Sequence, residues 1–125
     1  MLTTTGGFSG FSVRDPEEAR AFWRDRVGLE VRDEGNGMST LVLPGGAPVL
    51  MYPKGDDHHA ADFTVLNLQV ADLAQGIREL GKNGLEPERY DGMPQDEDGG
   101  MRGNGPDIAW YTDPSGNVFS LIVPA

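Results

Sequence analysis

The chain states the same unit twice. Asp15-Pro16-Glu17-Glu18 opens one helical stretch and Asp72-Leu73 opens another; Gly28-Leu29 closes the first and Gly84-Leu85 closes the second. The two aspartates are 57 residues apart and the two glycines 56 apart, so the halves align with a single deletion. In a chain of 125 residues, a period of that length makes each half one supersecondary unit and leaves few folds that hold both.

Each unit can be read from its own residues. Phe8 to Val13 alternates as a strand. Asp15 is a natural N-cap, Pro16 fits the first helical position, and Glu17 and Glu18 face the positive helix end. Ala19, Phe22, Trp23 and Val27 recur at helical spacing, which puts the two aromatics in a core, and Gly28 suits a left-handed C-terminal residue. Strands over Leu29 to Asp33, Met38 to Leu43 and Pro48 to Tyr52 follow, divided by Glu34-Gly35-Asn36-Gly37 and Pro44-Gly45-Gly46. The second unit repeats the order: a strand from Phe63 to Val70, a helix carrying Leu73, Ile77 and Leu80, a strand near Glu86 to Tyr90, and a closing pair from Ile108 to Thr112 and Val118 to Val123. The expected fold class is α+β, with two β-α-β-β-β modules over about 8–53 and 63–123 joined by the polar connector 54–62, all within a single domain spanning 1–125.

The closing pair predicts a hairpin around Asp113-Pro114-Ser115-Gly116-Asn117. With Thr112 opposite Val118, Trp110 falls opposite Ser120. One face then carries Trp110, Thr112, Val118, Ser120 and Ile122, and the other the apolar Phe119, Leu121 and Val123. The apolar face suits packing under a helix and the mixed face suits a pocket. By the same alternation Phe11, Val13, Leu66, Leu68 and Val70 face helices, while Phe8, Gly10, Ser12, Phe63, Val65, Asn67 and Gln69 face the other way with Tyr52 and Trp110. That lining is apolar and aromatic with a few orienting polar groups, the usual makeup of a small-molecule site. The sixteen residues Asp91 to Pro106 carry no periodicity, and loops of that length are functional lids or simply mobile. Among them Arg102 is a candidate clamp for a ligand carboxylate.

Composition narrows the partners. Twenty acidic against ten basic residues, a formal charge of −10, excludes a basic footprint for nucleic acid or anionic membranes and favours a neutral or cationic small ligand. The absence of cysteine removes disulfides, thiolate zinc sites and cysteine nucleophiles. No apolar run reaches membrane-spanning length, and the first residues lack the basic start and apolar core of a signal peptide, so the expected location is the cytoplasm. His58 and His59, beside Asp56 and Asp57, are the only imidazoles; neighbours on an extended segment point apart, and the surroundings read as a solvated connector rather than a metal site.

Two β-α-β-β-β modules, Phe11-Ser12-Val13-Arg14-Asp15-Pro16-Glu17-Glu18-Ala19, Phe22-Trp23, Val27-Gly28-Leu29-Glu30-Val31 and Trp110-Tyr111-Thr112-Asp113-Pro114-Ser115-Gly116-Asn117 together resemble the vicinal oxygen chelate superfamily, which includes glyoxalase I, extradiol dioxygenases, fosfomycin-resistance enzymes and bleomycin-resistance proteins. The resemblance implies curled mixed sheets forming two half-open cups that share a site, and a homodimer. It also implies, in metal-dependent members, a His seven residues before each helix-capping Asp and a Glu four residues after the turn glycine. Those positions hold Phe8, Val65 and Ser120, with Leu50 at the first unit's equivalent of the last. Phe, Val and Leu cannot bind a divalent ion, so no metal and no other cofactor is expected.

The resulting expectation is a metal-free binder of an amphiphilic, cationic or aromatic small molecule, contacted by Phe8, Tyr52, Phe63, Val65, Asn67, Gln69, Arg102, Trp110 and Ser120. The competing classes are a lyase, isomerase or dioxygenase with an atypical metal site around His58 and His59, a metal-free catalyst using Tyr52, Asn67 or Gln69, and a relic of the fold kept for interaction alone.

Overall fold

The computed structural model describes residues 1–124. The chain forms two compact units, Met1–His59 and Ala60–Ala125. In the first unit the elements are β1 (Ser9–Val13), α1 (Pro16–Ala21), a π-helical stretch (Phe22–Val27), β2 (Glu30–Gly35), β3 (Met38–Val42) and β4 (Pro48–Pro53). Its four-stranded sheet runs β1-β4-β3-β2, with β1 parallel to β4 and the other pairs antiparallel. The second unit contains β5 (Thr64–Gln69), α2 (Leu73–Lys82), β6 (Asp107–Thr112) and β7 (Val118–Val123) in a three-stranded sheet of order β5-β7-β6, again one parallel and one antiparallel pair. Two mixed sheets with few helices make the chain α+β.

The caps that define the repeat are built alike. Asp15 accepts from the Glu17 and Glu18 amides at 3.0 and 3.3 Å, and Asp72 accepts from the Gln75 amide at 3.1 Å. These bonds satisfy donors that a first helical turn leaves unpaired. Gly28 and Gly84 both adopt left-handed φ, of 93° and 82°, and the next leucine returns its amide to the helix: Leu29 to Trp23 and Leu85 to Leu80, each at 3.0 Å. The first helix differs from its expected regular form. It changes to π geometry at Phe22, and the wider turn lets Gly28 and Leu29 share the Trp23 carbonyl. Phe22 and Trp23 are buried in an edge-on pair 5.3 Å apart, and Trp23 also meets Phe11 at 6.1 Å.

In the second unit Leu66, Leu73, Ile77, Leu80, Ala109, Tyr111, Phe119 and Leu121 are buried. Gly76 allows the helix to approach the sheet: a Cβ there would lie 3.0 Å from Leu121 Cδ1. Tyr111 stacks on Phe119 at 5.4 Å with 21° between the rings.

Two sequence expectations need correction. The segment Glu86 to Tyr90 is not a strand, so the second unit lacks the counterpart of β2. A single bond, from the Glu88 amide to the Trp110 carbonyl at 2.7 Å, holds the segment beside β6, while the Glu88 carbonyl and the Tyr90 amide bond the Gln95 side chain instead of extending a ladder. The second correction is a register shift between Thr64 and Leu66, where β5 has one residue more than β7. Thr64 therefore pairs with Val118, where an unbroken count back from Asn67 and Ser120 would put Val65.

Candidate functional site

The hairpin carries the site. Thr112 pairs with Val118 and Trp110 with Ser120, the register counted from the sequence. Its turn is a closed hydrogen-bonded unit: Asp113 Oδ1 accepts from the Ser115 and Asn117 amides at 2.9 and 2.8 Å, and Asn117 Nδ2 donates to Asp113 Oδ2 at 3.2 Å. Asn117 also reaches outward, its Oδ1 accepting from the Ala61 amide at 3.1 Å. Gly116 completes the contact, because a Cβ on it would stand 2.9 Å from Ala60 Cβ. The turn thus fixes residues 60 and 61, and the chain that follows, Asp62-Phe63-Thr64, forms one wall of a hollow.

The opposite wall comes from the segment 86–90, which lies beside β6 without forming a strand. Glu88 is set by its amide bond to Trp110, by Gln95 Nε2 donating to its carbonyl at 2.8 Å, and by the Thr112 hydroxyl donating to Oε1 at 2.7 Å. Two residues on, Tyr90 stands edge-on to Trp110 with centroids 5.7 Å apart and 72° between planes. Together with Met93, Val118 and the residues around Ala60 these walls enclose about 520 Å³, within the range of small-molecule sites. Phe63, Tyr90 and Met93 are exposed at 67%, 39% and 41%, large apolar groups left open to solvent. Burial, followed by the charge of Glu88, raises the Tyr90 phenol above its ordinary pKa, so it stays neutral near pH 7.

The long loop is a tied structure. Arg102 grips Asp98 with two bonds of 3.0 and 2.9 Å and Asp96 with a third of 2.9 Å. These bonds, the Arg102 guanidinium first, hold the Asp98 carboxyl down at about 2. Gln95 takes the Tyr90 amide and donates to the Glu88 and Gly99 carbonyls, each at 2.8 Å, and Met101 bridges both Gln95 and Ile108. Gly99 packs where a Cβ would lie 2.7 Å from Pro87 Cβ. Arg102, expected as a clamp for a ligand carboxylate, is instead the loop's internal tie and does not line the hollow.

Of the nine residues expected at the site, Phe63 and Trp110 line this hollow. Val65, Asn67, Gln69 and Ser120 belong to the same sheet but not to the lining; Ser120 is fully buried and donates to Asn67 Oδ1 at 2.6 Å. Phe8 and Tyr52 belong to the first unit. There Tyr52 pairs with Ser12, and Phe8 lines a smaller hollow of about 240 Å³ with Glu34, Thr40, Pro48 and Leu50. Sequence reasoning missed Glu88 as a site residue, and it placed Thr112 on the pocket face without counting it among the contacts. Their signal was present: in an extended segment Glu88 and Tyr90 share a side, and Trp110 and Thr112 share one on β6.

The positions at which metal-dependent relatives carry donors do not fit a divalent ion. Phe8 and Leu50 stand together in the first unit's hollow and offer no donor atom, Val65 offers none, and the Ser120 hydroxyl is committed to Asn67. His58 Nδ1 is 2.8 Å from the Ser12 hydroxyl, which ties the connector to β1, while His59 is exposed. Among the described residues no group of three or more His, Cys, Asp or Glu is placed to hold a metal ion, and no helix is long and apolar enough to cross a membrane.

Comparison with known proteins agrees with this architecture. Among curated proteins none matches the sequence. Among solved structures, TnmS3, an antibiotic binding protein from Streptomyces sp. CB03234, is 19% identical over 99% of this chain and 100% of its own, with a TM-score of 0.68. A glyoxalase / bleomycin resistance protein from Catenulispora acidiphila DSM 44928 is likewise 19% identical, covering 98% and 100%, at 0.68. The fosfomycin resistance protein FosX from Listeria monocytogenes is 13% identical, covering 99% and 96%, at 0.69. Residues 10–122 match the glyoxalase-like domain. With that match over nearly its whole length and the doubled module in its fold, the chain belongs to the glyoxalase-like domain family of the vicinal oxygen chelate superfamily.

Proposed function

We propose that this protein binds an amphiphilic, aromatic small molecule without a metal, in the hollow between the hairpin and the Glu88–Met93 segment. The observation that carries the reading is the lining itself. Phe63, Tyr90, Met93 and Trp110 leave apolar surface facing open space, with Thr112 and Glu88 set among them as polar orienting groups. A core would have closed over that surface. The apolar donor positions support binding over metal-assisted chemistry, and the fold-level likeness to an antibiotic binding protein is in keeping with it.

Tryptophan fluorescence tests the proposal, because the two indoles occupy different surroundings. Trp23 is fully buried, whereas Trp110 lines the hollow. When a panel of aromatic drugs and metabolites is titrated, a true ligand changes the Trp110 signal. Trp110→Phe removes most of that change and weakens binding by about 0.5 to 1.5 kcal/mol, the usual worth of an aromatic contact beyond its area. Trp23→Phe instead lowers thermal stability. A binder whose signal and affinity survive Trp110→Phe unchanged would refute the assignment of this hollow.

A further inference from the structure

Resting on the reading of this hollow as a binding site, we propose that Glu88 is its charge-reading residue and that its ligands are organic cations, an alkylammonium group carried on an apolar or aromatic body. The lining contains two carboxylates, Glu88 and Asp62, and no Lys, Arg or His. Asp62 is exposed at the rim, whereas Glu88 is half-buried and held by three bonds: its amide to Trp110, Gln95 to its carbonyl, and the Thr112 hydroxyl to Oε1. A carboxylate fixed in this way loses little entropy on meeting a cation, and partial burial makes the contact stronger than one at the open surface.

Two further observations favour a ligand cation over an internal counter-ion. Glu88 forms no ion pair among the described residues. Its sequence neighbour Arg89, the nearest cation along the chain, is turned away and donates to the carbonyls of Asp96 and Glu97. The rest of the surround is aromatic. Trp110, Tyr90 and Phe63 provide π faces and edges around the same space, and a weakly hydrated ammonium carried on carbon gains from such faces where a strongly hydrated metal ion does not. An anion would meet the Glu88 charge with no donor cation to offset it, so the hollow rejects anions as well as selecting cations.

Three probes with one aromatic body separate charge from shape: 4-hydroxybenzyltrimethylammonium, its neutral isostere 4-neopentylphenol, and 4-hydroxybenzylsulfonate. Calorimetric titration of the intact protein should rank the ammonium first and the sulfonate last, with the ammonium weakening as salt is raised. Glu88→Gln keeps an oxygen to accept from Thr112 and removes the charge; it should weaken the ammonium about five- to tenfold more than the neutral phenol, as expected for a partly exposed charge contact. Glu88→Asp keeps the charge and should keep the ammonium's advantage. Equal binding of ammonium and phenol, or an ammonium advantage that survives Glu88→Gln, overturns the proposal, and the hollow still stands as a site if Trp110→Phe weakens both. Loss of the advantage in Glu88→Asp and Glu88→Gln alike assigns Glu88 a merely structural part and also overturns it. Failure of all three probes to bind refutes the hollow and the proposal together.

Discussion

Replacing Tyr111 with Phe should make this protein more stable. Tyr111 is 1% exposed, and its hydroxyl has no hydrogen-bond partner among the described residues, while its ring stacks on Phe119 in a contact that Phe can keep. A buried polar group without a partner costs about 1 to 3 kcal/mol. Against that, deleting one oxygen leaves a void of roughly 10 Å³, which at about 24 cal/mol per Å³ costs a few tenths of a kcal/mol. The net expectation is a gain of about 0.8 to 2.8 kcal/mol, or a rise in Tm of roughly 3 to 10 °C for a chain of this size. Urea unfolding followed by circular dichroism measures it directly, and the slope m should not change. An independent readout comes from alkaline titration. Burial, then the charges of Glu86 and Asp98, pushes the Tyr111 phenol far up, so its ionisation should appear only with unfolding and be missing from the variant. If Tyr111→Phe loses more than about 1 kcal/mol at constant m, the hydroxyl is bonded to an ordered buried water, and the reasoning fails.

The tie in the long loop should show as an acid limb. Asp98 is held at about 2 against an ordinary 3.8, so it contributes stability above pH 3.8 that is lost as the pH falls toward 2. Because both partners are about a third exposed, the worth is about 1 kcal/mol rather than the full value of the shift, and Asp98→Asn should lose that amount at pH 7 while flattening the thermal-stability profile below pH 4. Protein purified without chelator should carry no stoichiometric zinc, iron, nickel or manganese by elemental analysis, following from the apolar donor positions. One metal per chain that disappears in His59→Ala would reverse that reading.

The parts of this fold legible in the sequence are those governed by neighbours along the chain. Asp15 and Asp72 cap their helices because the donors they satisfy lie two or three residues away. Trp110 pairs with Ser120 because a five-residue turn fixes the count on both sides. The parts that were not legible depend on how packing adjusts a local preference. Helical spacing put Phe22 and Trp23 in the core but gave no sign of the change to π geometry. Strand alternation from Phe63 onward assumed an unbroken pleat, and one extra residue between Thr64 and Leu66 changed which residue pairs with Val118. Arg102 reads in the sequence as a candidate clamp for a ligand carboxylate, although Asp98 lies four residues before it, a spacing that already favours a pair.

The hollow follows from the way the second unit departs from the first. In the first unit β2 completes a hairpin with β3 and covers that edge of the sheet. The corresponding segment of the second unit makes a single bond to β6, from Glu88 to Trp110, and forms no strand. A full strand there would have spent its length pairing with β6. Released from pairing, the chain carries Glu88, Tyr90 and Met93 round the indole instead, and Gln95 fastens it by taking the Tyr90 amide and donating to the Glu88 carbonyl. The Gln95 side chain thus takes up backbone groups that a strand would pair, and the segment becomes a wall of side chains. The bonds lost from the ladder are replaced within the loop, so the wall is fixed before any ligand arrives.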